Sequence, residues 1–323
     1  TRRRRKLGII NGIDADVWDP EADTMIRHRL ANDDIRAFKA KNKRELCEWF
    51  GFPEDAPLIS FIGRMVGEKG VDLLPDTYRH IIQSGTKACF LVLGTGEPWT
   101  QNQFRALAHQ YPGRFNAVID YNEALSHQIY AGSDFLIMPS RVEPCGLNQM
   151  YSMRYGTIPI VRTVGGLKDT VPDIGEPGGI GRGIRFDQFS VEDATHALYR
   201  AISMWHNNPD IIDHLRQRIM AVDFSWKKTI EKYQAVYRQV GAAVEPELPV
   251  VAPEQPMAQK SLPEAKVKIP AVRGRKPAQA VKPAEPVVVP EQPLTPKSAP
   301  EAKLKTPAVR GRKPAQTVKP AEP

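Results

Sequence analysis

The stretch Pro139-Ser-Arg-Val-Glu-Pro-Cys-Gly-Leu-Asn-Gln-Met-Tyr-Ser-Met-Arg-Tyr-Gly-Thr-Ile-Pro-Ile-Val-Arg-Thr-Val-Gly-Gly166 decides the fold. Asp134-Phe-Leu-Ile-Met138, just before it, is an apolar run of strand length, too short for a helix. A polar loop with Arg141, Glu143 and Cys145 follows, and from Gly146 on Leu147, Met150, Tyr151 and Tyr155 recur at helical spacing. Gly156 ends that helix, Pro159 lies just beyond, and Ile158 to Val161 begins another buried strand. Strand, glycine loop and helix in this order make a place for an anion, because the first amides of a helix are free and its dipole is positive there. On spacing alone, Glu143 is either a charge at the start of the helix or a group facing a substrate.

Working outward, an alternation begins at Pro57 and runs for over a hundred residues. Leu58–Ile62, 88–93, 115–119, 135–138 and 158–161 read as buried strands, separated by helical stretches near 71–84, 97–110, 122–131 and 146–155. Near-continuous apolar strands alternating with helices predict a doubly wound, Rossmann-like α/β domain with a parallel sheet covered on both faces. Ligands of such sheets bind outside the carboxyl ends of the strands. The loops there hold Gly63, Arg64, Glu68, Lys69 and Gly70; Gly94-Thr-Gly96; Asp120-Tyr-Asn122; Arg141 to Gly146; and Thr163 with Gly165-Gly166. Two glycine turns and two cations at strand ends suit a nucleotide diphosphate, and it is their co-location that carries this reading.

Before the alternation, Asp33 to Phe50 reads as a helix with Asp33 or Asp34 at its start, and Gly8 to Asp14 as a short strand and turn. After it, Leu167 to Val171 starts a short amphipathic segment, and Val191–Trp205, Pro209–Met220 and Trp226–Val240 carry helical apolar spacing. The glycine-rich Gly175 to Gly183 lacks the strand before and helix after it that a phosphate-binding loop requires. His196, His206 and His214 have no acidic or cysteine partners at ligand spacing and read as structural.

Composition divides the chain into residues 1–241 and 242–323. The second part holds 17 of the 29 prolines, two glycines and no aromatic residue. It consists of two units, 250–286 and 287–323, identical at 29 of 37 positions. Such a segment cannot bury enough surface to offset an ordering cost of about 1–2 kcal/mol per residue, which predicts a disordered, proline-rich tail. With 14 Lys and Arg against 8 Glu, the tail supplies +6 of the net +8, and Arg2 to Lys6 alone add +5. The folded body is therefore mildly acidic, and the high pI says little about a site. Each repeat contains Arg-Gly-Arg-Lys-Pro, at 273–277 and 310–314. This resembles the AT-hook that binds A·T-rich DNA, but Lys276 and Lys313 intervene before the proline, so a basic linker is the simpler expectation. Cys47, Cys89 and Cys145 form neither a disulfide framework nor a zinc motif, which suggests a reducing cytoplasm. No apolar run reaches membrane-spanning length, so no membrane partner is expected. Thr1 and the basic opening suggest a chain that begins inside a longer protein.

Ser140-Arg-Val-Glu-Pro-Cys-Gly-Leu-Asn-Gln149, Met153-Arg-Tyr-Gly-Thr-Ile-Pro-Ile-Val-Arg162 and Gly165-Gly-Leu-Lys-Asp-Thr-Val171 together resemble the bacterial glycogen synthase and plant starch synthase family, as does Gly8-Ile-Ile-Asn-Gly-Ile-Asp14 with Trp18 and Pro20. The resemblance runs from about Lys6 to Tyr237 and covers the second of that family's two Rossmann-like domains. It implies the C-terminal half of a GT-B glycosyltransferase that transfers glucose from ADP-glucose to an α-1,4-glucan with retention, without cofactor or metal, in the cytoplasm or, in a plant or alga, the plastid stroma. The other domain would be a necessary partner. Arg64 and Lys69 match the cation pair that contacts the donor phosphates, and Tyr121 the aromatic that stacks on adenine. Glu143 matches the first carboxylate of an E-x7-E pattern whose second position is here Tyr151. Gly94, Cys145, Gly146, Leu147 and Asn148 would line the donor site. Val142 stands where a phenylalanine is expected. A UDP-glucose donor, or a half-protein that binds without catalysing, are the alternatives.

Overall fold

The computed structural model describes residues 7–239. The tail repeats, the two Arg-Gly-Arg-Lys-Pro segments and the basic opening lie outside the described residues.

Six parallel strands form one sheet: β1 (Leu58–Ile62), β2 (Cys89–Leu93), β3 (Phe115–Val118), β4 (Phe135–Met138), β5 (Ile158–Arg162) and β6 (Ile184–Phe186). Their spatial order is β3-β2-β1-β4-β5-β6. This is the doubly wound order, with its reversal between β1 and β4. Register pairs Leu58 with Cys89 on one side of β1, and Ile59 with Phe135 on the other. Between and after the strands come α2 (Leu74–Gln83), α3 (Pro98–Gln110), α4 (Glu123–Gly132), α5 (Asn148–Arg154), α6 (Gly165–Thr170), α7 (Val191–Asn207), α8 (Pro209–Met220) and α9 (Trp226–Gln239), with α1 (Ile35–Phe50) ahead of them all.

The strands are apolar on both faces because both are covered. Leu91 and Leu93 pack with Leu46 of α1 and Leu125 and Ile129 of α4. Their neighbours Phe90 and Val92 turn the other way and join Tyr78 of α2 and Phe104 of α3. Gly132 lets α4 approach α1, since a Cβ there would lie 2.7 Å from the Asn42 carbonyl oxygen. Among the described residues no helix is long and apolar enough to cross a membrane.

Asp34 is the residue that caps α1, its carboxylate accepting from the Ala37 amide at 2.9 Å. Phe38 and Leu46 of α1 face the core as their spacing indicates, but Trp49 is exposed, and Lys39, Asn42 and Lys43 are buried on the same face. At the amino end of the central strands, Asp134 accepts from the Leu58 amide (2.9 Å), Lys43 (2.7 Å) and Arg216 (2.7 Å). Burial would raise the Asp134 carboxyl, but Lys43 and Arg216 outweigh it and hold the group at about 2. Lys39 Nζ donates to Thr157 Oγ1 at 2.7 Å and to the Tyr130 and Tyr155 carbonyls. Burial, reinforced by nearby Arg216, pushes its ammonium well below the usual lysine value.

Three expectations need correction. Gly8 to Asp14 forms no strand; Ile13 makes a single bridge to Ser225, and its amide donates to the Phe224 carbonyl at 2.8 Å. Thr229 Oγ1 donates to the Ile10 carbonyl, and a Cβ on Gly12 would lie 2.5 Å from the Trp226 backbone, so the two ends of the described chain are clasped together. The helix expected from Gly146 begins at Asn148, because Gly146 adopts φ +71°. β6, absent from the expectation, follows the glycine-rich loop.

Candidate active site

The carboxyl ends of β1 and β4, flanking the reversal in strand order, bring the expected residues to one place. After β1 the chain passes Arg64 and makes two 3-10 turns, Gly67–Lys69 and Val71–Leu73. Gly70 joins them at φ +64°, and a Cβ there would lie 2.1 Å from the Pro139 carbonyl oxygen. Only glycine allows this approach, which lays the Lys69 loop directly on the Glu143 loop. On the other side, Gly165 and Gly166 come so near the carbonyls of Glu143 and Cys145 that a Cβ would stand 2.1 and 2.0 Å away. The Gly166 amide donates to the Glu143 carbonyl at 3.0 Å. The Pro139–Gly146 loop is thus held between two glycine contacts.

Lys69 Nζ donates to Glu143 Oε2 at 2.6 Å, and Ser140 Oγ donates to the same oxygen at 3.3 Å. Glu143 is 7 % exposed and lines a cavity of about 220 Å³ with Lys69, Arg64, Gly146, Leu147 and Asn148. Arg64, mostly exposed, pairs with Glu68. Both cations that the resemblance assigns to phosphate therefore carry a carboxylate partner. The amides of Gly146, Leu147 and Asn148 donate to no protein acceptor among the described residues. With α5 only seven residues long, these amides, rather than a long helix dipole, are what the loop offers an anion.

Arg141 braces the arrangement. Its guanidinium donates to Asp72 Oδ1 and Oδ2 at 2.6 and 2.8 Å and to the Gly67 carbonyl at 2.7 Å. It also lies over the Phe189 ring at 3.8 Å. The hydrogen bonds from Arg141 hold the Asp72 carboxyl below its ordinary value despite partial burial. Val142, in place of the expected phenylalanine, points outward and is exposed.

A second cavity, of about 410 Å³, shares Ile62, Gly63, Arg64 and Asn148 with the first and is walled by Trp18, Tyr121, Tyr130 and Tyr151. Tyr121 is 82 % exposed, so it is not packing at a strand end, and its ring is free to meet a ligand. Gly94 lines this second cavity, at φ +157° with a Cβ position 1.9 Å from the Gly63 carbonyl oxygen. Asn148 Nδ2 donates to the Ile62 carbonyl at 2.7 Å, tying α5 to the end of β1. Cys145 lines neither cavity; it is half-buried, its Sγ is 3.3 Å from the Gly146 carbonyl oxygen, and burial pushes its thiol up. His206 is exposed and bonded to the Lys87 carbonyl, away from the cavities. Sequence reasoning missed that Trp18 walls the larger cavity and that Asp72 anchors Arg141. Trp18 and Arg141 stand in quoted motifs, but Asp72 carries no local signal.

The site thus sets an aromatic, polar chamber beside a smaller one that holds the Lys69–Glu143 pair, at a strand-order reversal. The chain matches the family described as "Glycosyl transferases group 1" over residues 42–218. It is 45 % identical over 239 residues to a glycogen synthase of Flavobacterium johnsoniae, covering 74 % of this chain and 50 % of that one. A glycogen synthase of Bacillus cereus is 40 % identical over 235 residues, covering 72 % and 48 %. The catalytic domain of starch synthase IV from Arabidopsis thaliana, solved bound to ADP and acarbose, superposes with a TM-score of 0.67 at 35 % identity, over 73 % of this chain and 49 % of that one. The chain spans about half the length of the curated relatives it matches. With the family match covering more than half of its residues and the sheet order and cleft in agreement, the chain belongs to the group 1 glycosyl transferases.

Proposed function

We propose that the chain is the donor-binding half of a glycogen or starch synthase, which transfers glucose from ADP-glucose to the non-reducing end of an α-1,4-glucan with retention. The observation that carries this reading is the Lys69–Glu143 pair in a cavity that shares four lining residues with the one that Tyr121 walls. Adenine would lie on Tyr121, the diphosphate by Arg64, Lys69 and the free amides, and glucose beside Glu143. As the bond from glucose to phosphate opens, negative charge grows on the departing ADP and positive charge on the ring. The cations meet the first and the Glu143 carboxylate the second. In this scheme the chain's own cations carry the phosphate charge, and no cofactor is invoked. The glycogen and starch synthase relatives support the donor and the acceptor.

Titration of ADP and of UDP into the chain tests the donor. ADP is expected to bind more tightly, and Arg64→Ala to weaken it about tenfold or more, through loss of a charge-assisted contact. Unchanged ADP binding by Arg64→Ala, or a preference for UDP, overturns the assignment. The same chain, assayed alone with ADP-glucose and a glucan primer, is expected to release ADP negligibly, since its relatives spend about half their length on residues it does not span. Robust turnover would show that the cleft is complete without them.

A further inference from the structure

Asp23, His127 and Tyr155 are polar groups with no part in the chemistry above, and Asp23 and His127 are almost completely buried. Asp23 Oδ2 accepts from His127 Nδ1 at 2.7 Å and from the Tyr155 hydroxyl at 2.5 Å, while Oδ1 accepts from the Met25 amide at 2.7 Å. Burial and the adjacent carboxylate push the Tyr155 phenol up, so it stays a donor. A carboxylate only accepts, which places a proton on His127 Nδ1. The opposite nitrogen, Nε2, is buried with no partner among the described residues. Burying a carboxylate and orphaning a ring nitrogen is costly, and what the cost fixes is the orientation of one imidazole.

That imidazole is the base of a stack. Trp18 lies on it with ring centroids 3.9 Å apart and planes 13° from parallel. Tyr151 lies on the other face of Trp18 at 3.8 Å and 17°. Tyr130 and Tyr155 meet the Trp18 ring edge-on. Arg154 Nε donates to the Trp18 carbonyl at 3.2 Å, pinning the backbone as well. The stack starts in the core and ends in the open, since Trp18 and Tyr151 both wall the 410 Å³ cavity. It therefore ties α4, α5 and the irregular segment before α1 into one rigid side of that chamber.

We propose that Trp18 is a positioning residue for the nucleoside end of the donor: His127, aimed by Asp23, holds the Trp18 ring, and Trp18 holds Tyr151 as the wall against which the nucleoside of a nucleoside diphosphate seats. This rests on the donor site proposed above and adds the element that sets its width. The phosphate end, built by Arg64 and Lys69 on other loops, is independent of it.

Calorimetry on the intact chain with two probes, ADP and inorganic pyrophosphate, separates the ends. Trp18→Ala is expected to weaken ADP about tenfold, the worth of roughly two aromatic stacks, and to leave pyrophosphate unchanged. Trp18→Phe keeps a ring in the stack and stays within about twofold of the parent, and Asp23→Asn, which releases the imidazole, falls between them. Tyr151→Leu, at the half-buried end of the stack, keeps an apolar side chain against the core and repeats the Trp18→Ala pattern. Thermal unfolding of each variant confirms the folded fraction. Parental ADP affinity in folded Trp18→Ala or in Tyr151→Leu, or an equal loss for both probes, overturns the proposal. Arg64→Ala is the control for the underlying reading and weakens both probes. If it weakens neither, or if the parent binds neither, the donor site itself is wrong and the positioning role falls with it.

Discussion

Glu143→Gln, made in a form of the enzyme that also carries the half its relatives have in addition, is expected to lower turnover about a hundredfold or more. ADP affinity is expected to change less than about threefold, because nucleotide without sugar has little to gain from this carboxylate. Glutamine keeps the size and the contact with Ser140, so the loop held between Gly70 and Gly165 retains its shape. What is lost is the negative charge proposed to stand beside the ring as the glycosidic bond opens. Lys69→Ala should behave differently. It removes the cation proposed to meet the donor phosphates and leaves the 7 % exposed Glu143 without its 2.6 Å partner, so both turnover and ADP affinity are expected to fall. Initial rates and ADP calorimetry on both variants distinguish the roles. Near-full turnover with Glu143→Gln would remove Glu143 from the chemistry.

The largest stability effect is expected at the opposite end of the sheet. Asp134→Asn leaves Lys43 and Arg216 buried without their shared carboxylate and should cost about 3–5 kcal/mol. Because the Asp134 carboxyl is depressed to about 2 in the folded chain, its contribution is full above the unfolded carboxylate value, near pH 4. It is lost as pH falls through about 2. Urea unfolding at pH 7 and at successively lower pH measures both quantities. The parent should lose stability over this acid window more steeply than the variant. Equal stability of parent and variant at pH 7 would show that the two cations find water or other partners.

Much of this architecture was legible in the chain. Leu58–Ile62, Phe135–Met138 and Ile158–Val161 are runs of apolar residues bounded by glycine, proline or polar turns, and buried parallel strands look like that in any context. The rule that loops at the carboxyl ends carry ligands then placed Arg64, Lys69, Tyr121 and Glu143 in one cleft. Contact was not legible. Lys69 and Glu143 are 74 residues apart, and they meet because Gly70 lies against Pro139, a matter of backbone proximity that no periodicity encodes. His127 was invisible for the same reason, since Asp23 lies 104 residues away in a segment without regular structure. β6 escaped because three residues after a glycine-rich loop are too few to show a period. The burial of Lys39 and Lys43 on α1 carried no local signal, because Thr157 and Asp134, far along the chain, supply their partners.

The clasp between the two ends of the described chain has a consequence for motion. Within α9, Thr229 is the one buried residue, and Trp226, Ile230, Tyr233 and Tyr237 are all substantially exposed. Among the described residues, what holds the helix to the body is a handful of bonds at and just before its first turn: Ile13 to Phe224, Trp226 to Ile13, and Thr229 to Ile10. Such an element opens without disturbing the sheet, so its amides should trade hydrogen for deuterium far faster than those of β1 and β2. The helix and the Gly8–Asp14 segment share the same bonds and should exchange together as one unit, a latch that lifts from the body while the cleft stays formed.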